Sequence, residues 1–113
     1  MSVTTQARHW YWQRISAMVL AACVLVHLVT IVYAVRSGLS GEALLARTRG
    51  SLPFAAFYTV FVLACAVHVP IGLARVAEEW LGWRARVSSF VAPAIALLIV
   101  AMGLRAVYAM VFA

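Results

Sequence analysis

The chain contains no lysine and no aspartate; its nine basic residues are all arginine, and its only carboxylate side chains are Glu42, Glu78 and Glu79. None of the three lies in the middle of an apolar run. A small proton-coupled transporter of the multidrug type needs a carboxylate there to exchange cation for proton, and the sequence argues against that class. Cysteine is scarce too. Cys23 and Cys65 form neither a Cys-x-x-Cys-His for covalent haem nor a zinc spacing, and they read as small buried apolar residues. The arginines give a formal net charge of +6. They are scattered at the ends of apolar runs and form no basic stripe, which argues against nucleic acid and for interfacial anchoring. The first apolar run is too long for a secretion signal and has no Ala-x-Ala-like exit, so it reads as a retained helix.

What the chain has in abundance is hydrocarbon. Of its 113 residues 66% are hydrophobic, whereas a soluble domain is nearer about 45–50%. The class is an integral membrane protein. Crossing about 30 Å of hydrocarbon takes roughly 20 apolar residues in a helix, and three segments qualify, near 15–35, 54–74 and 87–110. The expected fold is an all-α membrane protein: one membrane-anchor domain over residues 1–113, with helices at about 13–35, 54–80 and 87–111. Such a chain leaves no room for a soluble catalytic domain. Its chemistry is expected inside the bilayer or in a partner.

Several boundaries carry signals. Ser37-Gly38 ends the first helix, and Ser40 is placed to cap a short interfacial helix reaching Arg47. Ser51 caps the next span, with Pro53 tolerated in its first turn, and Gly82 can take the left-handed conformation that ends it. Pro93 lies inside the third span. Arg8, Arg14, Arg75, Arg84 and Arg86 fall on the N-terminal side of the bilayer, and Arg36, Arg47, Arg49 and Arg105 on the other. That division does not set orientation by the positive-inside rule. Tryptophan is one-sided: Trp10, Trp12, Trp80 and Trp83 all belong to the N-terminal side, suiting a headgroup belt or a docked partner.

The sharpest feature is a pair of histidines, His27 and His68, deep in separate apolar runs. An ionisable or metal-ligating group in hydrocarbon is costly, which makes it a functional candidate. Steps of three and four from His27 collect Ser16, Leu20, Cys23, Thr30 and Ala34, a mostly small or weakly polar face. The same stepping from His68 collects Phe61, Cys65 or Ala64, Gly72, Arg75 and Glu79. Gly72, one turn from His68, leaves room for a flat macrocycle, and Arg75 lies a further turn along, where it can meet propionates. The pair reads as axial ligands to haem iron. The competing reading is two histidines that merely hydrogen-bond neighbouring helices. Arg14 to His27 is about 20 Å of helix and His68 to Glu78 about 15 Å, counted from one membrane face. A haem shared by the two helices, and two haems completed by a partner chain, both remain open at this stage.

The opening His9-Trp10-Tyr11-Trp12-Gln13-Arg14-Ile15-Ser16-Ala17 resembles the His-Arg-x-Ser-Gly or Gln-Arg-x-Ser-Ala start of the cytochrome b membrane-anchor subunits of succinate dehydrogenase and fumarate reductase. His68-Val69-Pro70-Ile71-Gly72-Leu73-Ala74-Arg75, with Glu78-Glu79-Trp80, resembles their His-x-x-x-Gly-[Ile/Leu] segment. The likeness covers most of the chain. It implies a subunit that anchors a flavoprotein and an iron–sulfur protein to the cytoplasmic face of the bacterial inner membrane, with the N-terminus cytoplasmic. It also implies haem b, one or two, shared with a partner chain, and quinone as substrate. His68 matches the second-helix ligand, and His27 resembles the first-helix ligand of the two-haem branch. Arg14 matches the arginine near the quinone headgroup, with Ser16 and Trp10 as further candidates beside it. There are departures: Trp10 stands where the one-haem branch has a serine, and the arginine after His68 is displaced by one position. Three spans are few for such an anchor, so a second hydrophobic chain, or another copy of this one, is expected to complete a bundle of about six helices. A cofactor-free membrane scaffold is the alternative of a different class.

Overall fold

The computed structural model describes residues 2–113, which form four α-helices: α1 (Val3–Arg36), α2 (Gly41–Thr48), α3 (Leu52–Trp80) and α4 (Ala85–Val111). α1, α3 and α4 are each long and apolar enough to cross a membrane. The chain is an integral membrane protein with three spanning helices.

α1 begins at Val3, well before the expected start near residue 13. The Ser2 hydroxyl accepts a hydrogen bond from the Thr5 backbone N–H at 3.2 Å, capping the helix ahead of its apolar run. Hydropathy marks where the bilayer begins, and the helix extends beyond it. At 1.5 Å per residue the helix is about 51 Å long against roughly 30 Å of hydrocarbon. The longest dimension of the molecule, 49 Å, also exceeds that thickness, and the first turns of α1 lie outside its apolar run.

The turns follow from local chemistry. Ser40 caps α2 by accepting from the Ala43 N–H, and Ser51 caps α3 by accepting from the Phe54 N–H, with Pro53 in the first turn. Gly82 has φ +69°, and beyond it the Trp83 N–H returns to the Ala77 carbonyl, closing α3. α2 folds back on the end of α4. Thr48, 4% exposed, donates its hydroxyl to the Met110 carbonyl at 2.8 Å, and the Gly50 N–H donates to the Val111 carbonyl at 2.7 Å.

α3 is the central helix, packed on α4 more extensively than on α1. The α3–α4 approach is close at Gly103, where an added Cβ would lie 2.5 Å from Val62 Cγ1. The buried residues of the spans are mostly small: Ser16 and Cys23 on α1, Ala64, Pro70 and Ala77 on α3, and Ser88, Val107 and Val111 on α4. Large aliphatics such as Leu25 and Leu97 point outward. In lipid, burying Leu gains little over leaving it among acyl chains, so small residues that let backbones approach make the contacts.

Candidate functional site

α1 and α3 run antiparallel, and the polar positions of one meet those of the other. Gly72 faces Gln13, His68 faces Ser16, and Tyr58 faces His27. The stripes traced from the two histidines therefore lie on the α1–α3 contact. Ser16 and Cys23 are the buried residues of α1, and both belong to its stripe.

Each imidazole is held through the same ring nitrogen. His68 Nδ1 lies 3.4 Å from Ser16 Oγ, and His27 Nδ1 lies 2.9 Å from the Tyr58 hydroxyl. Tyr58 and Phe61 stack, and both present their rings edge-on to His27 at centroid distances of 5.6 and 5.7 Å. Among the described residues no hydrogen bond reaches Nε2 of either ring. Nε2 is the nitrogen that remains to coordinate a metal when Nδ1 is engaged by a neighbour. His27 also borders a cavity of about 330 Å³ lined by Phe61, Cys65 and the α4 residues Ile99, Gly103 and Met110.

The pairings fix the relative depth of the histidines, which sequence left open. His68 is level with Ser16 and His27 with Tyr58; ten or eleven residues separate the two levels on either helix, about 15 Å at 1.5 Å per residue. The two imidazoles therefore occupy separate levels of the α1–α3 contact. Gly72 faces the end of the Gln13 side chain: a Cβ there would lie 3.1 Å from Gln13 Nε2.

Nearer the N-terminal face, a cavity of about 360 Å³ lies between α1 and α3, lined by His9, Trp10, Gln13 and Arg14 of α1 and Ile71, Arg75 and Glu79 of α3. The Arg14 guanidinium sits over the Trp10 ring, 4.9 Å from its centroid. Arg75 lies 3.8 Å from Glu79 across an exposed i,i+4 pair. Gln13 Oε1 is buried and has no hydrogen-bond partner. Two cations, an aromatic face and an unmatched acceptor thus border one space. Trp10, Arg14 and Arg75 come together here, whereas Ser16 does not line the cavity and turns toward His68.

Two contributors escaped the sequence reading. Tyr58 stands ten residues before His68 in an aromatic cluster of ordinary appearance, and only the antiparallel register brings it to His27. Gln13 belongs to the opening motif, and its access to the cavity depends on Gly72 leaving space across the interface.

No curated protein and no solved structure gives a significant match to this chain. A family model does, over residues 1–108: the succinate dehydrogenase/fumarate reductase transmembrane subunit. With nearly its whole length covered and three spanning helices in place, the chain belongs to the succinate dehydrogenase/fumarate reductase transmembrane subunit family.

Proposed function

We propose that the chain is the haem b-bearing anchor of a succinate:quinone oxidoreductase, with one haem site at His68 and a second at His27, each completed by a histidine from a second hydrophobic chain or a second copy of this one. The observation that carries this reading is the arrangement of the two imidazoles: two depths, Nδ1 engaged by a hydroxyl in each, Nε2 unbonded in each. Haem b, when bound, supplies a one-electron carrier within the hydrocarbon. The donor set fits it, because neutral imidazole nitrogen is an ordinary axial ligand and the hydroxyls orient the rings. Arg75 is the residue to meet propionates on the N-terminal side.

The cavity bordered by Trp10, Gln13 and Arg14 suits a quinone headgroup. Arg14 offers a fixed cation for negative charge developing on a carbonyl oxygen. Gln13 Oε1, buried and unmatched, calls for a donor, which a quinol hydroxyl provides. The exposed rings of Trp10, Trp12 and Trp80, with the overhanging first turns of α1, suit a docking face for an iron–sulfur subunit and the flavoprotein it carries. That face is the cytoplasmic one, in a bacterial inner membrane.

The test is a reduced-minus-oxidised spectrum of the complex purified in mild detergent with its hydrophobic partner. A b-type signal is expected, with His68→Ala and His27→Ala each removing a different part of it. Absence of haem from the wild-type complex, or a signal unchanged in both variants, leaves the cofactor-free scaffold as the reading.

A further inference from the structure

Ser16 is 4% exposed, and of the two acceptors its hydroxyl can reach, the Gln13 carbonyl is nearer than His68 Nδ1. A serine hydroxyl has one hydrogen and two lone pairs. That hydrogen is donated to the Gln13 backbone carbonyl, one turn back, at 3.1 Å. With the hydrogen on that nearer acceptor, Oγ is left to accept from His68 Nδ1, 3.4 Å away. In a neutral imidazole one nitrogen carries the proton and the other a lone pair. With the proton on Nδ1, the lone pair is on Nε2.

We infer that Ser16 is a positioning residue for His68: through the Gln13 carbonyl–Ser16–Nδ1 chain it holds the ring in the tautomer whose Nε2 can coordinate iron. The inference rests on the haem reading above and moves Ser16 away from the quinone headgroup. A hydroxyl that is already donating is polarised into a better acceptor. An Nδ1–H bonded in this way makes the imidazole a stronger electron donor, which favours ferric over ferrous iron. Few competing acceptors exist at this depth to replace the contact, because the surroundings are hydrocarbon and packed helix.

His27 provides the internal contrast. The Tyr58 hydroxyl has no further hydrogen-bond partner among the described residues, so it is free to donate to Nδ1 or to accept from it. The same deduction of tautomer does not apply there. A direct effect of Ser16 is confined to the His68 level, about 15 Å from His27.

The experiment is a potentiometric titration, followed in the haem absorbance bands, of the purified complex carrying Ser16→Ala or Ser16→Thr, alongside His68→Ala to identify which component belongs to His68. Ser16→Ala is expected to retain haem and shift the midpoint potential of the His68 component upward, with the other component unmoved. Ser16→Thr, which keeps the hydroxyl, is expected to restore the wild-type value. An unshifted potential in Ser16→Ala overturns the inference, as does an equal shift in both components. A change confined to the quinone KM returns Ser16 to the headgroup site and overturns it too. Should Ser16→Ala fail to assemble, Ser16→Cys, a weak donor and acceptor of similar size, must show the upward shift for the inference to stand. Wild-type complex without haem defeats the underlying reading instead, and the two failures are told apart before any variant is compared.

Discussion

The Tyr58 hydroxyl of α3 lies 2.9 Å from Nδ1 of His27 on α1, and the two rings meet edge-on at 85°. Tyr58→Phe keeps the ring and its stacking on Phe61 but removes the hydrogen bond. Interhelical hydrogen bonds in membranes contribute on average about 0.6 kcal/mol, so the loss of thermal stability should be small. The spectral consequence should be selective: the component lost in His27→Ala broadens or shifts, and the His68 component stays as it was. Low-temperature difference spectra of the two variants side by side check this, and a change in the His68 component alone would break the assignment of levels.

The packing of α3 on α4 makes a separate prediction. Gly103→Ala places a Cβ 2.5 Å from Val62 Cγ1, closer than two carbons can sit. Val62 is β-branched and stiff at χ1, so it cannot swing aside without leaving its rotamer. Overpacking of this kind costs about 1–3 kcal/mol. Val62→Ala in the same chain removes both Cγ atoms and leaves only the Cβ, 3.2 Å from the added methyl, and the double variant should be less destabilised than the two single effects added together. Thermal melting of the detergent-solubilised complex, monitored for all four sequences, measures the coupling; simple additivity would mean that Gly103 and Val62 do not touch.

These contacts show where sequence stopped being informative. Three spans were legible because length and hydropathy report a bilayer directly, and the Ser40, Ser51 and Gly82 signals were legible because caps and left-handed turns are local. The start of α1 was not, since its first turns leave the hydrocarbon and follow helix propensity and the Ser2 cap instead. Facing residues were legible only where small or polar ones broke an apolar surface: Ser16, Cys23 and His27 marked the side of α1 that meets α3. On an all-apolar helix nothing distinguishes a lipid-facing leucine from a packed one, so the Gly103–Val62 contact left no trace. Depth failed for another reason. Counting residues from an assumed membrane edge carries the error of the edge, whereas the pairing of Ser16 with His68 and Tyr58 with His27 sets the levels without reference to the bilayer.

Arg14 and Glu79 border the same cavity with opposite charge, and they should respond in opposite ways. Arg14→Leu removes the cation and its stacking on Trp10. Loss of one stabilising donor at a developing oxyanion lowers turnover by about 100- to 1000-fold in an enclosed site, and this open cavity should give the lower end. Glu79→Gln frees Arg75 from its 3.8 Å partner. An exposed pair of this kind contributes roughly 0–1 kcal/mol, so stability should hardly move while quinone reduction is maintained or improved. Steady-state kinetics with a short-chain quinone distinguishes these outcomes. Unaltered kinetics in Arg14→Leu would place the headgroup elsewhere.

Thr48 joins the connection between α1 and α3 to the far end of α4, and its single hydrogen has two carbonyls within reach. The Met110 oxygen at 2.8 Å is the better acceptor, and the Leu45 oxygen at 3.3 Å the poorer. Thr48→Val preserves shape and removes the donor, leaving the Met110 carbonyl without that partner. The net loss is about 0.5–1.5 kcal/mol, to which the unmet carbonyl adds where water cannot reach it. That energy holds α2 and the end of α4 together, so the effect should be local. Faster amide exchange is expected across α2 and the last turn of α4, including the Gly50 N–H that donates to Val111, with the Ser16–His68 level unaffected. Hydrogen exchange read by mass spectrometry on the intact complex resolves the two regions, and uniform protection in the variant would show that the Gly50 hydrogen bond holds the joint unaided.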